Sequence, residues 1–516
     1  MQVLLNRVNQ YRSSIYEIAR GVLRSRNRQV ERNQELNRQV RELQIRVEQL
    51  TRESQHYQKQ VGETQQELAM QRSINEELRQ QPIRLPSDLP LPHHTFGPKM
   101  ISLCLNLSKS IGFRPTERAM EIFFAWLGIE SKIPSWDAIR CWACRVGVAQ
   151  LQQLPEQADD WIWMTDHSNQ IGTEKVLQIL GIRASQLPPP GQTLSREKMV
   201  VLAVIPGKDW KRDDVRREYK KLAQRIGTPR YLLTDGAVEL FESADVLRKP
   251  GKKLTVLRDM KHFAANTLEK LIGKDERFVK YLSLLGSTRS RIQQTELGHF
   301  TPPPQKPKAR FMNLGPNLRW GQMVSHHLSR PNSQAREGIT AARMNEKLGW
   351  VREYRDDLAI WNRCQEIMQA SLKFINQQGL SRGSAKLLKS TLEDLMASWP
   401  TACDLSKKMA STLIAFVRKS ESLVPAGERS WLSTENIEST FGMFKRLEGQ
   451  HSKGGFTSLI AAMPMLLIDW TPDRVRESLS AVSVKQMKTW VEEKLGTTLA
   501  SKRAIAYREF TATMSG

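Results

Sequence analysis

Cysteine is scarce in this chain: five thiols in 516 residues, Cys104, Cys141, Cys144, Cys364 and Cys403. An odd number at irregular spacing excludes a simple disulfide framework and fits a reducing compartment. Cys141 and Cys144 form a CxxC, but no second pair stands near it to complete a zinc site, so both read as buried thiols of a helix. Long apolar runs are missing as well. A membrane helix needs about 20 consecutive apolar residues. The longest candidate, 460–470, is short and contains Pro464. With a mean hydropathy of −0.48, this predicts a chain too polar to be a membrane protein. The opening MQVLLNRVNQ has no long apolar stretch and no small-residue cleavage site, which predicts no secretory signal. No GxxxxGK[ST] occurs, which excludes a P-loop nucleotide site, and no glycine-rich dinucleotide fingerprint follows a strand. A GxSxG nucleophile elbow is absent too.

Positive charge is abundant. Lysine and arginine number 78 against 54 acidic residues, a net charge of +24. An excess this large in a long chain favours polyanionic partners, chiefly nucleic acid, because neutralising phosphates releases counterions. The length suggests about three or four domains at roughly 150 residues each.

Residues 1–80 are rich in Arg, Gln and Glu, with no proline and two glycines. Leu36, Leu43, Leu50 and Tyr57 recur every seven residues. Val40, Val47, Val61 and Leu68 fall at the matching offset of four, and Ser54 and Thr64 interrupt the pattern. This is a heptad seam, and β-branched residues at a with Leu at d favour a parallel homodimer. The competing arrangement is one long helix folded back on its own domain. A proline-rich linker occupies 81–98 and ends the helix.

Residues 99–150 read as several short helices, with Thr116 a plausible N-cap and Pro134-Ser135 a helix start. The last of them carries Arg140 and Arg145, and a helix, turn and helix there would suit a helix-turn-helix DNA reader. Packing of three helices without DNA contact fits the same pattern.

From 158 to 272 the character changes. DWIWMTDHS, KVLQILGI, REKMVVLAVIPG, RYLLTDGA and KKLTVLRDM read as five strands, with a basic amphipathic helix before the fourth and helices around the fifth. Three close strands followed by helix, strand, helix and strand predict a mixed α/β sheet, antiparallel first and parallel later. Residues 273–430 are helical apart from the basic TPPPQKPKARF, and 431–516 hold a late helix, WLSTENIESTFGMFKRLEG, and further helices. The fold class is multidomain α plus α/β.

Asp166 and Asp235 close the first and fourth strands, 69 residues apart. If those strands are neighbours, their ends bring the two carboxylates together. A third carboxylate from a packed helix would complete an oxygen cage suited to Mg²⁺ or Mn²⁺. Two such ions about 4 Å apart serve an in-line phosphoryl displacement.

TDHS after a long apolar strand, LLTDGA after a basic helix and STENIESTFGMFKR on a late helix together resemble bacterial insertion-sequence transposases with a DDE site. The resemblance covers roughly 160–260 and 430–450. It implies a ribonuclease-H-like core interrupted by a large helical insertion at 273–430, with Asp166, Asp235 and Glu438 as catalytic and metal-holding residues. It implies double-stranded DNA, both transposon ends and target, as substrate, and a prokaryotic, cytoplasmic, nucleoid-associated protein. Glu438 lies 203 residues after Asp235. Glu435 is its competitor, one turn earlier, where it would complement the helix dipole. Lys445, Arg446 and the loop residue Lys453 would meet the DNA backbone. Asp259 and His262 are spare candidates near the fifth strand. Trp320 fits a buried core position or a stacking partner for a flipped base. The competing reading in another class is a non-catalytic DNA-binding or scaffold protein derived from a transposase. A further alternative is another ribonuclease-H-like nuclease.

Overall fold

The computed structural model describes residues 15–80, 88–153, 155–171, 174–251, 253–306, 310–330, 339–400, 403–449, 456–497 and 499–514. Two units result, 1–86 and 87–516.

The first unit is one helix, α1 (Ile15–Gln80), with no proline to break it. Among the described residues its heptad positions are exposed: Leu43 is 64% and Leu50 53% exposed. A single helix of this length cannot cover its own apolar stripe.

The second unit begins with three helices, α2 (Pro98–Ile111), α3 (Phe113–Leu127) and α4 (Trp136–Gln152). Ser135 caps α4, accepting from the Ala138 N–H as its sequence predicts. Thr116 is not a cap. Gly112, at φ 86°, makes the break between α2 and α3, so Thr116 lies inside α3 and donates to the Gly112 carbonyl at 2.6 Å.

The five expected strands form one sheet: β1 (Trp161–Ile171), β2 (Glu174–Arg183), β3 (Val200–Lys208), β4 (Tyr231–Thr234) and β5 (Thr255–Arg258), in the order β3-β2-β1-β4-β5. β1, β2 and β3 are antiparallel neighbours, while β1–β4 and β4–β5 pair in parallel. The parallel pairs are joined through helices, α5 (Arg212–Ile226) and the short α6 (Val238–Glu242).

Alternation along the strands sorts side chains onto two faces. One face carries Trp161, Trp163, Leu177, Ile179 and Leu232, which pack on Val215, Tyr219 and Leu222 of α5. The other carries Ile162, Met164, Val176, Leu180, Leu233 and Leu257 and merges into a large helical core. Fully burying one such side chain contributes about 1.5–3 kcal/mol, so both faces are firmly covered.

That second core includes α7 (Met260–Ile272), α8 (Glu276–Ile292), α9 (Gly315–Leu328), α10 (Ala341–Leu348) and α11 (Arg355–Gln378). It continues through α12 (Ser384–Ala397) and α13 (Asp404–Glu421). The expected helical block after β5 is therefore observed, with one addition, a two-residue ladder of β6 (Leu380–Ser381) and β7 (Arg429–Ser430). Then come α14 (Glu435–Gly449), α15 (Pro472–Ala481), α16 (Val484–Leu495) and α17 (Leu499–Met514). The apolar run near 460 is a buried 3₁₀ segment, Ser458–Leu467, lying against α4. A β-carbon at Gly147 of α4 would collide with the Ala461 carbonyl oxygen. Among the described residues no helix is long and apolar enough to cross a membrane.

Candidate functional site

Asp166 does not end its strand as the sequence suggests. β1 runs on to Ile171 because β2 keeps pairing with it, while its parallel partner β4 stops at Thr234. Thr165 faces Thr234, and Thr234 faces Arg258. One residue further lie Asp166, Asp235 and Asp259, and across β2 the partner of Asp166 is Gln178. Adjacent strands stand about 4.8 Å apart, so these four residues form a row across the sheet. Alternation from Met164, Leu180, Leu233 and Leu257 puts the row on the face that meets the large helical core.

The turn after β4 depends on Gly236, whose φ of 93° suits glycine. Within it Asp235 Oδ1 accepts from the Ala237 N–H at 2.8 Å. Asp166 Oδ1 accepts from the His167 N–H at 2.7 Å. Burial pushes the Asp166 carboxyl up to about 8, and the charges of Asp235 and Glu438 add to that rise.

The helix bearing Glu438 is fastened to this row by the third aspartate. Asp259 is buried and caps α7, its Oδ1 accepting from the His262 N–H at 2.7 Å. Its Oδ2 accepts from Thr434 N–H at 2.6 Å and from the Thr434 hydroxyl at 2.9 Å. The Met260 N–H donates to the Leu432 carbonyl at 2.9 Å beside it. Thr434 in turn starts α14, accepting from the N–H groups of Ile437 and Glu438. Asp259 thus joins two segments 175 residues apart in sequence. Its oxygens are occupied by this work, which makes it a structural residue.

Ile437, Phe441 and Phe444 bury one side of α14 in the core. Glu438 lies beside them, and its Oε2 accepts from Lys261 Nζ at 2.5 Å. Its Oε1 is 3.4 Å from His262 Nε2, buried, and without a formed hydrogen bond. Burial opposes its charge, but His262 and Lys261 outweigh burial and hold the carboxyl below its usual range. Burial likewise opposes charge on His262, but Glu438, Asp259 and Asp166 prevail and raise it to about 9. Glu435 points elsewhere, accepting from Asn376 Nδ2 at 2.5 Å, with Lys261 Nζ 3.8 Å away.

Three carboxylates directed to one face of the sheet are the donor type that a hard divalent cation takes. Among the described residues, however, no three His, Cys, Asp or Glu side chains stand in a ready-made metal cage. Lys261 takes the position of a counter-charge at Glu438 instead.

His167 lies on the opposite face. Its ring is tilted against Trp210, Nδ1 is 3.6 Å from Glu239, and burial lowers it to about 4.

The anticipated DNA contacts divide. Arg145 is buried in α4 and donates to the carbonyls of Leu479 at 2.8 Å and Val482 at 2.9 Å. It binds α4 to α15 and offers no face to a phosphate. Arg140 pairs with Asp137 at 3.0 Å and reaches Ser458. α4 is a core helix, with Ile139, Trp142, Ala143, Cys144 and Val146 buried, and so is not a helix that lies in a DNA groove. Apolar residues on nearly every side of it had signalled this. Lys445 and Arg446 are exposed on α14. Lys453 falls outside the described residues. Trp320 is a core residue whose Nε1 donates to the Phe300 carbonyl at 2.8 Å. Cys144 is buried, which pushes its thiol up to about 12.

Sequence reasoning missed two members. Lys261 precedes the noticed His262, and nothing marked it as a partner of a glutamate 177 residues away. Gln178 left a signal: it is a lone polar residue within an apolar strand, KVLQILGI, and it is wholly buried. Neither end of its carboxamide has a hydrogen-bond partner. A buried polar group left unpaired costs about 1–3 kcal/mol. No protein-family model matches the chain, and no curated protein matches it.

Proposed function

We propose that the chain is a DNA-cutting and DNA-joining enzyme of the three-carboxylate kind, a transposase with a ribonuclease-H-like core. The observation that carries this reading is the row across the sheet. Asp166 and Asp235 follow paired threonines on adjacent parallel strands, and the helix bearing Glu438 is pinned to the same face through Asp259. The adjacency of the first and fourth strands supports the reading, since a ribonuclease-H-like sheet needs those two as neighbours. The net charge of +24 favours a DNA partner.

In this reading Asp166, Asp235 and Glu438 would hold two Mg²⁺ or Mn²⁺ ions. Such ions activate an attacking oxygen and stabilise the leaving oxygen of a phosphodiester. Asp166, from the middle of a buried strand, gives the site a fixed wall. Asp235 is held by its turn, and Glu438, now paired with Lys261, would be the third ligand. Lys261 and the exposed Lys445 and Arg446 would supply positive charge for the DNA backbone. Hydrolysis at the transposon end would free a 3′-hydroxyl and leave a 5′-phosphate on the flanking strand. That hydroxyl would attack a target phosphodiester at the same carboxylates, joining to its phosphorus and displacing the target 3′-oxygen, which leaves as a hydroxyl. The heptad seam of α1 pairs two copies, and the protein acts at the prokaryotic nucleoid.

The test is incubation of the full chain with DNA bearing its own flanking terminal repeats and Mg²⁺. Strand cleavage by the wild type is expected, with loss of cleavage but retained DNA binding in Asp166→Asn, Asp235→Asn and Glu438→Gln. Cleavage that survives any one of these removes that residue from the site. A second reading, a non-catalytic DNA-binding protein, draws on the ion pair of Lys261 with Glu438. It predicts DNA binding without cleavage.

A further inference from the structure

Gln178 is wholly buried on β2, and its carboxamide nitrogen and oxygen both lack a hydrogen-bond partner among the described residues. It stands directly across the antiparallel β1–β2 pair from Asp166. Val176 and Leu180, two residues to either side, belong to the core on the face shared with Ile162 and Met164. Gln178 and Asp166 therefore lie side by side on one face, with β-carbons about 4.5–5.5 Å apart.

An apolar side chain like those flanking it would suit this position better, since an unpaired carboxamide out of water destabilises the fold. On the helix packed over this face, the buried Glu438 Oε1 pairs with His262 Nε2 at 3.4 Å. An unsatisfied carboxamide beside a buried carboxyl marks a site whose hydrogen bonding is incomplete without a ligand.

We propose that Gln178 is a positioning residue of this site, its amide N–H donating to the Asp166 carboxylate when a divalent cation is held by the acidic residues. This rests on the reading of Asp166, Asp235 and Glu438 as cation ligands. Carboxylates that bind a metal need outer partners to fix their orientation, and a neutral amide gives that support without competing for the cation as an ammonium does. Asp166 already takes one hydrogen bond from the His167 N–H. Gln178 would supply a second from the neighbouring strand.

The test uses the full-length protein with Gln178→Leu and Gln178→Met, melting temperature in EDTA, and Mn²⁺ titration by calorimetry. Removing the orphaned amide should raise the melting temperature by about 2 °C or more. The same variants should bind Mn²⁺ roughly 10–100-fold more weakly. A residue that only supports the fold would lower the melting temperature, so a fall in both variants, or failure of both to fold, overturns the inference. Unchanged Mn²⁺ affinity in a folded variant overturns it as well. If wild type and Asp166→Asn bind Mn²⁺ equally, the cation reading fails and this one with it. Intact Mn²⁺ binding by the Gln178 variants alone leaves the cation reading standing.

Discussion

Thr165 and Thr234 face each other across the parallel β1–β4 pair, and the next residue on each chain segment is an aspartate. One carboxyl, Asp166, is buried within a strand that continues, and the other, Asp235, sits where its strand has ended. The burial of Asp166 leads to the first prediction.

The Asp166 carboxyl takes its proton at about 8 in the folded chain, against 3.8 ordinarily. Between those values the folded state binds more protons than the unfolded state, so stability falls as pH rises. Without divalent cations, the wild type should lose up to about 1.4 kcal/mol per pH unit from this group across that window. Asp166→Asn should remove that slope. Melting temperatures in EDTA at pH 5 and pH 8.5 check it, and parallel curves for the two proteins would refute the assignment.

Glu438 and Glu435 should separate cleanly. Glu438→Gln takes the carboxylate away from Lys261 and His262 and should abolish cleavage of terminal-repeat DNA. Glu435→Gln, whose partner is Asn376, should keep most of it. The readout is the cleaved fraction at saturating Mg²⁺, and equal loss in both variants would reopen the choice.

Asp259→Ala should be costly without touching the reaction directly. It removes a helix cap and leaves the buried Thr434 N–H unpaired, together about 2–4 kcal/mol. Denaturant unfolding measures this. A loss below 1 kcal/mol would show that the fastening of α14 to the sheet does not depend on Asp259.

Arg145 and the Lys445–Arg446 pair should behave oppositely. Arg145→Ala leaves two carbonyls unpaired between α4 and α15 and should destabilise the fold. Lys445→Ala and Arg446→Ala should leave the melting temperature within a degree or two. Each should also reduce the slope of log affinity for DNA against log salt by about 1. Titrations at several salt concentrations distinguish the two.

Leu43→Glu with Leu50→Glu should turn a dimer into a monomer by placing charge in the α1 seam. Sedimentation measures the change. The melting of residues 87–516 should be unaffected, since the seam belongs to the other unit.

Much of the secondary structure was legible from local pattern. Short apolar runs located all five strands, and Ser135 announced the start of α4. Where local pattern misled, long-range pairing had decided the outcome. Thr116 looked like a cap, but Gly112 alone made the break. Asp166 looked like a strand end, but β2 carried β1 onward. Arg145 looked free to meet DNA, because nothing near it in sequence revealed the carbonyls of Leu479 and Val482.

By itself the sequence determined the strands, the helices, the basic charge and the heptad stripe, because each depends on residues close together in the chain. Only the tertiary structure decided which of these meet. Parallel pairing of β1 with β4 aligned Asp166 with Asp235, and the buried hydrogen bonds from Thr434 to Asp259 brought α14 to the same face. Antiparallel pairing with β2 placed Gln178 beside them. Those contacts join segments up to 175 residues apart, and no spacing along a chain specifies a hydrogen bond closed across its folded core.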